Sequence, residues 1–194
     1  GRKWSIKVGR EVQPEIVLSR ILWALGYYQP DTYYVKGWQL AGDWKDEGEP
    51  ARFRLQSDHK TDGEWKWNDN PFSGTTPMHG LVAINLLLSN WDFKTSNNRI
   101  YKLDDPKAEP ATRYVVQDLG ASLGKSRLLL IGTRNELEDF EHEKFIKSVD
   151  GSEVTLNYRG RHGEIFERLS IADVIWACEL LNRLTDAQLD AIRQ

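Results

Sequence analysis

A polar loop with the sequence Asn-Trp-Asp-Phe-Lys-Thr-Ser-Asn, at positions 90–97, decides the fold prediction. The mostly apolar segment 81–88 precedes it, and a second short apolar run, Tyr114–Val116, leads to Asp118-Leu119-Gly120. An Asp, a Lys two positions later, an Asn five positions later and a second Asp after a strand are the groups that phosphoryl transfer from ATP uses. One carboxylate positions the attacking hydroxyl, while the amide and the second carboxylate hold Mg²⁺. The pattern predicts this chemistry and leaves the acceptor undefined.

The composition allows a sizeable core and disfavours two classes of partner. With 194 residues, 40% of them hydrophobic, the chain is long enough for one domain or two small lobes. Lys and Arg total 26 against 29 Asp and Glu, a net charge of −3, which gives no electrostatic reason for binding nucleic acid. The apolar run 81–88 is interrupted by Asn85 and is far shorter than the ~20 residues of a membrane-spanning helix. We therefore expect neither a nucleic-acid partner nor a membrane span.

The chain contains one cysteine, Cys178, so an internal disulfide framework is excluded. Cys178 lies in a helical pattern, which predicts a buried, unreactive thiol. The low cysteine content fits the cytoplasm, but the start at Gly1-Arg2-Lys3 reads as the inside of a larger protein. A leader could have preceded it, so the compartment stays open.

The first part of the chain is predicted to hold short strands and one helix. Pro14 suits the first turn of that helix and Gly26 suits its end. Residues 36–75 hold four tryptophans among Gly, Asp and Pro and show no clear pattern apart from one candidate strand and the expected turns at Asp62-Gly63 and Asp69-Asn70-Pro71. The predicted strands are Trp4–Val8, Thr32–Val35 and Arg52–Leu55.

The second part is predicted to be richer in helix. Thr76 is the expected N-cap of a helix with Pro77 at its first position, and apolar residues on all sides of that helix predict burial. The further predictions are a strand ending at Asp118, a hairpin around Asp150-Gly151, a capping box at Ser170–Asp173 that opens a helix to about Leu181, and a helix after Thr185. The predicted class is α+β with two lobes, over residues 1–75 and 76–194.

On these residues the chain resembles the protein-kinase-like superfamily, most closely an atypical bacterial branch similar to the HipA-like and secretory-pathway (Golgi) kinases. The resemblance covers roughly residues 4 to 124 and rests on about a dozen positions. It implies a two-lobed kinase-like fold with a truncated N-terminal lobe, binding ATP and Mg²⁺. It also implies that Asp92 orients the acceptor hydroxyl, that Lys94 neutralises the transferring phosphoryl group, and that Asn97 and Asp118 hold Mg²⁺. Asn98 is the alternative to Asn97.

Two residues near the start of the chain complete the resemblance. Lys7, on a strand, is similar to the lysine that contacts the nucleotide phosphates, and Glu15, on the next helix, to its ion-pair partner. Glu15 flanks an apolar helix stripe, so its burial would be costly without a cation. Glu11 is the second candidate partner. The Gly-rich loop that covers the phosphates would precede Lys7 and is therefore expected upstream of Gly1.

Several other interpretations of these segments remain open. Residues 120–126 resemble a P-loop that lacks one spacer residue, and the 91–98 loop could be an Asx-type turn without catalytic function. The tryptophans could stack on a sugar or a peptide in a binding module. None of the four histidines has paired-ligand spacing, so no zinc site is expected, and His79 is predicted to be a core histidine.

The sequence therefore predicts an ATP/Mg²⁺-dependent phosphotransferase whose acceptor is a protein, a glycan or a small hydroxyl compound. The alternatives are a non-catalytic kinase-like scaffold or binding domain, and transfer of AMP at the same site.

Overall fold

The computed structural model describes residues 2–42, 48–56, 60–103, 107, 109–125, 132–158 and 169–193. One of the four tryptophans of residues 36–75 (Trp44), two of the four histidines (His59 and His162) and the last residue of the segment that resembles a P-loop (Ser126) lie outside these ranges. Within them, five α-helices and three small antiparallel sheets form a mixed α/β protein, in agreement with the predicted α+β class.

The first sheet has the strand order β1-β3-β2, formed by β1 (Lys3–Val8), β2 (Thr32–Val35) and β3 (Ala51–Gln56). All three strands were predicted, with bounds that differ by one residue at most. Helix α1 (Val12–Ala24) follows β1 and starts before Pro14, and Gly26 ends it with φ of 93°. In the register of β1 with β3, Lys7 lies directly opposite Arg52. Both side chains therefore project from the sheet face that α1 covers.

The second sheet has the order β4-β5-β6 and consists of β4 (Lys60–Thr61), β5 (Asn98–Lys102) and β6 (Thr112–Val116). Strand β6 was predicted, whereas β4 and β5 were not. Residues in the 60–75 segment belong to the core beneath this sheet, because the indole rings of Trp65 and Trp67 are buried there. The Nε1 of Trp65 donates to the Val115 carbonyl at 3.1 Å.

Helix α2 (Thr76–Leu87) is buried along most of its length, as predicted. Its N-cap is Thr75 rather than Thr76, since the Thr75 hydroxyl accepts the Met78 N–H at 3.4 Å. Helix α4 (Ile171–Leu181) packs across α2 with the Trp176 ring against Gly80, where a Cβ atom would collide with the ring.

The remaining elements are α3 (Leu137–Glu141), the hairpin of β7 (Ile146–Asp150) and β8 (Glu153–Leu156), and α5 (Asp186–Arg193). The hairpin, the Ser170–Asp173 capping box and the Thr185 helix start are confirmed. The predicted burial of Cys178 is wrong, because this residue lies on the exposed side of α4. No helix of the described ranges has the length and apolar character needed to cross a bilayer.

Candidate functional site

The 90–97 loop is anchored to the end of α2 by buried asparagines. Asn85 is fully buried, and its Oδ1 accepts the Asn90 Nδ2 at 2.9 Å while its backbone carbonyl accepts the Asn90 N–H at 2.8 Å. Asn90 Oδ1 in turn accepts the N–H of Asp92 at 3.1 Å. The polar Asn85 therefore has a structural role within the apolar run: through Asn90 it fixes the position of Asp92 at the start of the loop. The sequence prediction missed this role.

Asp92 gathers the polar side chains of its own loop. Its Oδ2 accepts Lys94 Nζ at 2.7 Å and Asn97 Nδ2 at 3.4 Å, and its backbone carbonyl accepts Asn97 Nδ2 at 3.0 Å. Its Oδ1 is buried and has no hydrogen-bond partner among the described residues. Phe93, between these polar residues, is buried against Trp67 at a ring-centroid distance of 4.8 Å. The loop thus combines an apolar anchor, Phe93, with one oxygen of Asp92 that has no donor among the described residues.

The β5–β6 hairpin brings the two candidate metal ligands to the same end of the second sheet. Asn98 pairs with Val116, and one step further out the Gln117 N–H donates to the Asn97 carbonyl at 2.8 Å. Asp118 follows with φ of 56°, a left-handed conformation that turns the chain at the strand end. Among the described residues, no hydrogen bond joins the side chains of Asn97 and Asp118, and it is the backbone pairing that places both residues at the same end of the sheet.

The two neighbouring asparagines have different surroundings. Asn97 lies at the edge of the buried region, at 9% exposed, and its Nδ2 binds Asp92. Asn98 is fully buried, and its Nδ2 donates to the Trp65 carbonyl at 2.9 Å inside the core. Asn97 is therefore the better placed of the two to bind a metal ion.

Lys7 contacts three carboxylates. Its Nζ lies 2.5 Å from Asp118 Oδ1, 2.6 Å from Glu11 Oε2 and 3.1 Å from Glu15 Oε2. The expected contact with Glu15 is thus present, and so is the contact with the second candidate, Glu11. Glu15 is 3% exposed, so its burial is compensated by cations, as the sequence argument required.

Two arginines of β3 also approach Glu15, and the sequence prediction did not find them. Arg52 Nε lies 3.1 Å and Arg54 Nη1 3.7 Å from Glu15 Oε1. Burial lowers the pKa of the Arg52 guanidinium, against the opposing effect of the Glu15 charge. Lys7, Glu15 and their direct ion-pair partners therefore comprise three cations and three carboxylates, drawn from four separate segments.

Asp118 is held in its ionised form. Burial raises its pKa, but the hydrogen bond and the charge of Lys7, together with the charges of Arg54 and Arg52, more than offset that effect and lower the pKa. An ionised carboxylate is a good ligand for a hard cation such as Mg²⁺, which binds oxygen atoms. Among the described residues, no three of His, Cys, Asp and Glu are grouped closely enough to form a metal site by themselves.

A segment at 132–136 encloses the far side of the loop and contacts α1. The Trp91 ring, next to Asp92, lies 5.3 Å from the Arg134 guanidinium, and its Nε1 is 3.4 Å from the Thr133 carbonyl. Arg134 also forms an ion pair with Glu11. Gly120, part of the segment that resembles a P-loop, packs directly on Glu11, where a Cβ would lie 2.6 Å from the Glu11 Cβ. Close packing therefore explains this glycine without a phosphate.

The structure thus gathers the six predicted residues into two groups: Asp92, Lys94 and Asn97 in one, and Lys7, Glu15 and Asp118 in the other. Comparisons of the chain with protein-family models, with curated proteins and with solved structures found no match. Its function has to be inferred from the geometry of its own residues.

Proposed function

We propose that the protein is an ATP/Mg²⁺-dependent phosphotransferase with a two-lobed, protein-kinase-like fold. The observation that carries the proposal is the contact of Lys7 with both Glu15 and Asp118, beside the strand pair that leads back to the Asp92–Asn97 loop. Protein kinases require a lysine–glutamate ion pair, a metal-binding aspartate and a loop carrying a catalytic aspartate and a metal-binding asparagine. Each of these groups has a counterpart here.

Mg²⁺ would be held by Asp118 and the Oδ1 of Asn97. This ion keeps several waters and takes substrate phosphates as ligands, so two protein oxygens are sufficient. A bound Mg²⁺ would compete with the Lys7 ammonium for Asp118. Lys7 would then keep its contact with Glu15, and the nucleotide phosphates would replace Asp118 as its second anionic partner.

Asp92 would orient the acceptor hydroxyl. Its Oδ1 has no donor among the described residues, so an acceptor hydroxyl would satisfy it without displacing an existing bond once the atoms that bury this oxygen move aside. Lys94, now 2.7 Å from Asp92 Oδ2, is 40% exposed at its side chain and free to reach the developing charge of the transferred phosphoryl group. The acceptor is a protein, a glycan or a small hydroxyl compound.

The test uses Asp92→Asn and Asp118→Asn, which remove one charge each and preserve side-chain size. Phosphate transfer from [γ-³²P]ATP in Mg²⁺ should fall roughly 10²–10⁴-fold in both variants, while circular dichroism stays unchanged. The exposed Asp69, whose side chain is 81% exposed, provides the matched control Asp69→Asn. Full transfer in either site variant contradicts the assignment.

Label position and thermal stability separate the alternatives. Label on the acceptor from [α-³²P]ATP would show AMP transfer instead. A non-catalytic scaffold predicts no transfer from either label. A rise in melting temperature with ATP and Mg²⁺ that disappears in Asp118→Asn would show that the site binds nucleotide even without transfer.

A further inference from the structure

Lys7 and Arg52 are directly opposed cations. They are register partners on β1 and β3 and project from the same sheet face. Like charges directly opposite each other on neighbouring strands repel, so this arrangement is unfavourable unless an anion separates them. Glu15, projecting from α1, lies between the two.

Glu15 divides its two oxygens between the two cations. Oε2 faces Lys7 at 3.1 Å and Oε1 faces Arg52 Nε at 3.1 Å. The Nε–H bond of Arg52 is not aimed at this oxygen as a hydrogen bond would be, so the contact is an ion pair. The side chains of Glu15 and Arg52 are 4% and 5% exposed, so solvent screens their attraction little.

Arg52 is fixed from its other side by β1. Its Nη1 donates to the Ser5 carbonyl at 3.0 Å and to the Ser5 hydroxyl at 3.1 Å. Because the guanidinium is planar, the bonds of Nη1 to Ser5 also fix the direction of Nε, which faces Glu15. The ammonium group of a lysine, on a flexible chain, would not be fixed in this way. Arg54 Nη1, at 3.7 Å, is a weaker second contact to the same Glu15 oxygen.

We propose that Arg52 is a positioning residue: it fixes the Glu15 carboxylate, which in turn holds Lys7 where the nucleotide phosphates bind. The inference rests on the proposed function for the role of Lys7. Glu15 is one of three carboxylates around Lys7, and the contacts with Glu11 and Asp118 are shorter, at 2.6 and 2.5 Å. Without Arg52, Glu15 is free to change rotamer and Lys7 is drawn to the other two carboxylates, away from the phosphates.

The first arm of the test is structural and needs no nucleotide. Crystal structures of Arg52→Met and Arg52→Lys should show Glu15 displaced and its contact with Lys7 lost. Lysine keeps the positive charge, so Arg52→Lys provides a folded variant even if the methionine variant fails to fold. A Glu15–Lys7 contact retained in a folded variant overturns the inference, whatever the wild type binds.

The second arm measures the dissociation constant of ATP·Mg²⁺ by calorimetry. Arg52→Lys should raise it about tenfold in the wild-type background, but by less than about twofold in a Glu15→Gln background, because both changes act on the same ion pair. If Arg52 only stabilises the fold, Arg52→Lys should change the dissociation constant equally in the wild-type and Glu15→Gln backgrounds. Equal changes would therefore contradict the inference.

The matched control is Arg20→Met. Arg20 lies on α1 and, like Arg52, donates to backbone carbonyls, those of Ala191 and Ile192 in α5, but it does not contact Glu15. Its replacement should leave nucleotide affinity unchanged. If wild-type protein fails to bind ATP·Mg²⁺ while the first arm shows the displaced Glu15, the proposed function fails and the positioning role of Arg52 stands.

Discussion

At the scale of single residues, two adjacent asparagines illustrate how the backbone assigns different roles to the same side chain. Asn97 lies at the end of a short 3-10 turn, where its amide donates back to Asp92. Asn98 is the first residue of β5, so its side chain points to the opposite side, into the core. Sequence alone left the choice between them open, because both are asparagines at a loop–strand junction.

This difference predicts opposite outcomes for two alanine variants. Asn98→Ala removes the donor to the buried Trp65 carbonyl and should lower the free energy of unfolding by about 1–3 kcal/mol, without changing the Mg²⁺ requirement. Asn97→Ala removes the candidate metal ligand and should raise the Mg²⁺ concentration needed for ATP-induced stabilisation about tenfold or more. Urea unfolding measures the first effect, and thermal melts with ATP over a Mg²⁺ titration measure the second.

The pair serves as its own control, because each variant deletes the same atoms from a neighbouring position. A raised Mg²⁺ requirement in Asn98→Ala, with Asn97→Ala unaffected, would reverse the ligand assignment.

At the scale of elements, the capping box of α4 ties that helix to α2. Asp173 Oδ2 accepts the Ser170 N–H at 3.0 Å and the Ser170 hydroxyl at 2.8 Å, and it lies 3.1 Å from His79 Nδ1. Burial raises the pKa of Asp173, but the bonds from Ser170 and the charge of His79 outweigh burial and lower it. His79 therefore has a partner, although it lies at the edge of the core rather than within it.

The lowered pKa of Asp173 makes its contribution to stability depend on pH in a defined direction. A carboxyl group with a folded pKa below the ordinary 3.8 stabilises the protein above that value, and the stabilisation is lost as the pH falls through the folded pKa. Asp173→Asn should therefore lower the free energy of unfolding by about 1 kcal/mol near neutral pH. The difference from wild type should shrink as the pH falls below 3.8, where the unfolded chain binds the proton first, and further as the pH passes through the lowered pKa of folded Asp173. Urea unfolding of both proteins over this pH range measures it.

Asp186→Asn, at an exposed position in the first turn of α5, is the corresponding control and should change stability by less than about 0.5 kcal/mol. An Asp173→Asn difference that grows on acidification would be inconsistent with the lowered pKa.

The elements that could be predicted from sequence are those whose signals are local. Ser170 and Thr185 each bond a residue three positions on, and the Asp150-Gly151 turn defines its own hairpin. Strand β5 begins with Asn-Arg and was missed because its evidence is its pairing with β6, which sequence does not reveal. Cys178 was misplaced because α4 buries only one side, with Ile175 52% exposed.

The same distinction applies to the candidate site. Asp92, Lys94 and Asn97 share one loop, so their spacing alone predicted their contact. The roles of Arg52 and Arg134 could not be predicted, because each meets its carboxylate through an element distant in sequence. Most charged side chains of a protein are exposed to solvent, and only the tertiary structure shows which of them are buried in pairs.

At the scale of the whole molecule, one cluster of buried side chains includes residues from both sides of the predicted boundary between residues 75 and 76. Leu18 and Leu22 of α1 belong to the same cluster of buried side chains as Leu81, Ile84 and Phe93. Helix α5, near the end of the chain, also packs on α1 and receives two hydrogen bonds from Arg20. Residues on both sides of the boundary therefore stabilise one another, and we expect them to unfold together.

Leu22→Ala tests this expectation, because Leu22 is fully buried at the centre of the α1 contribution to the core. Loss of its side chain should lower the free energy of unfolding by about 2–5 kcal/mol. Hydrogen exchange in increasing urea, followed by mass spectrometry, should show the amides of α2 losing protection at the same reduced urea concentration as those of α1. The control Leu137→Ala removes the same atoms from a leucine that is 65% exposed and should change stability by less than about 0.5 kcal/mol.

If α2 kept its wild-type midpoint while α1 lost protection early, the two regions would be independent folding units. The contact of Lys7 with Asp118 would then be a docking contact between them. A common midpoint means instead that the same core packing that stabilises α1 also holds Glu15, and with it Lys7, against Asp118.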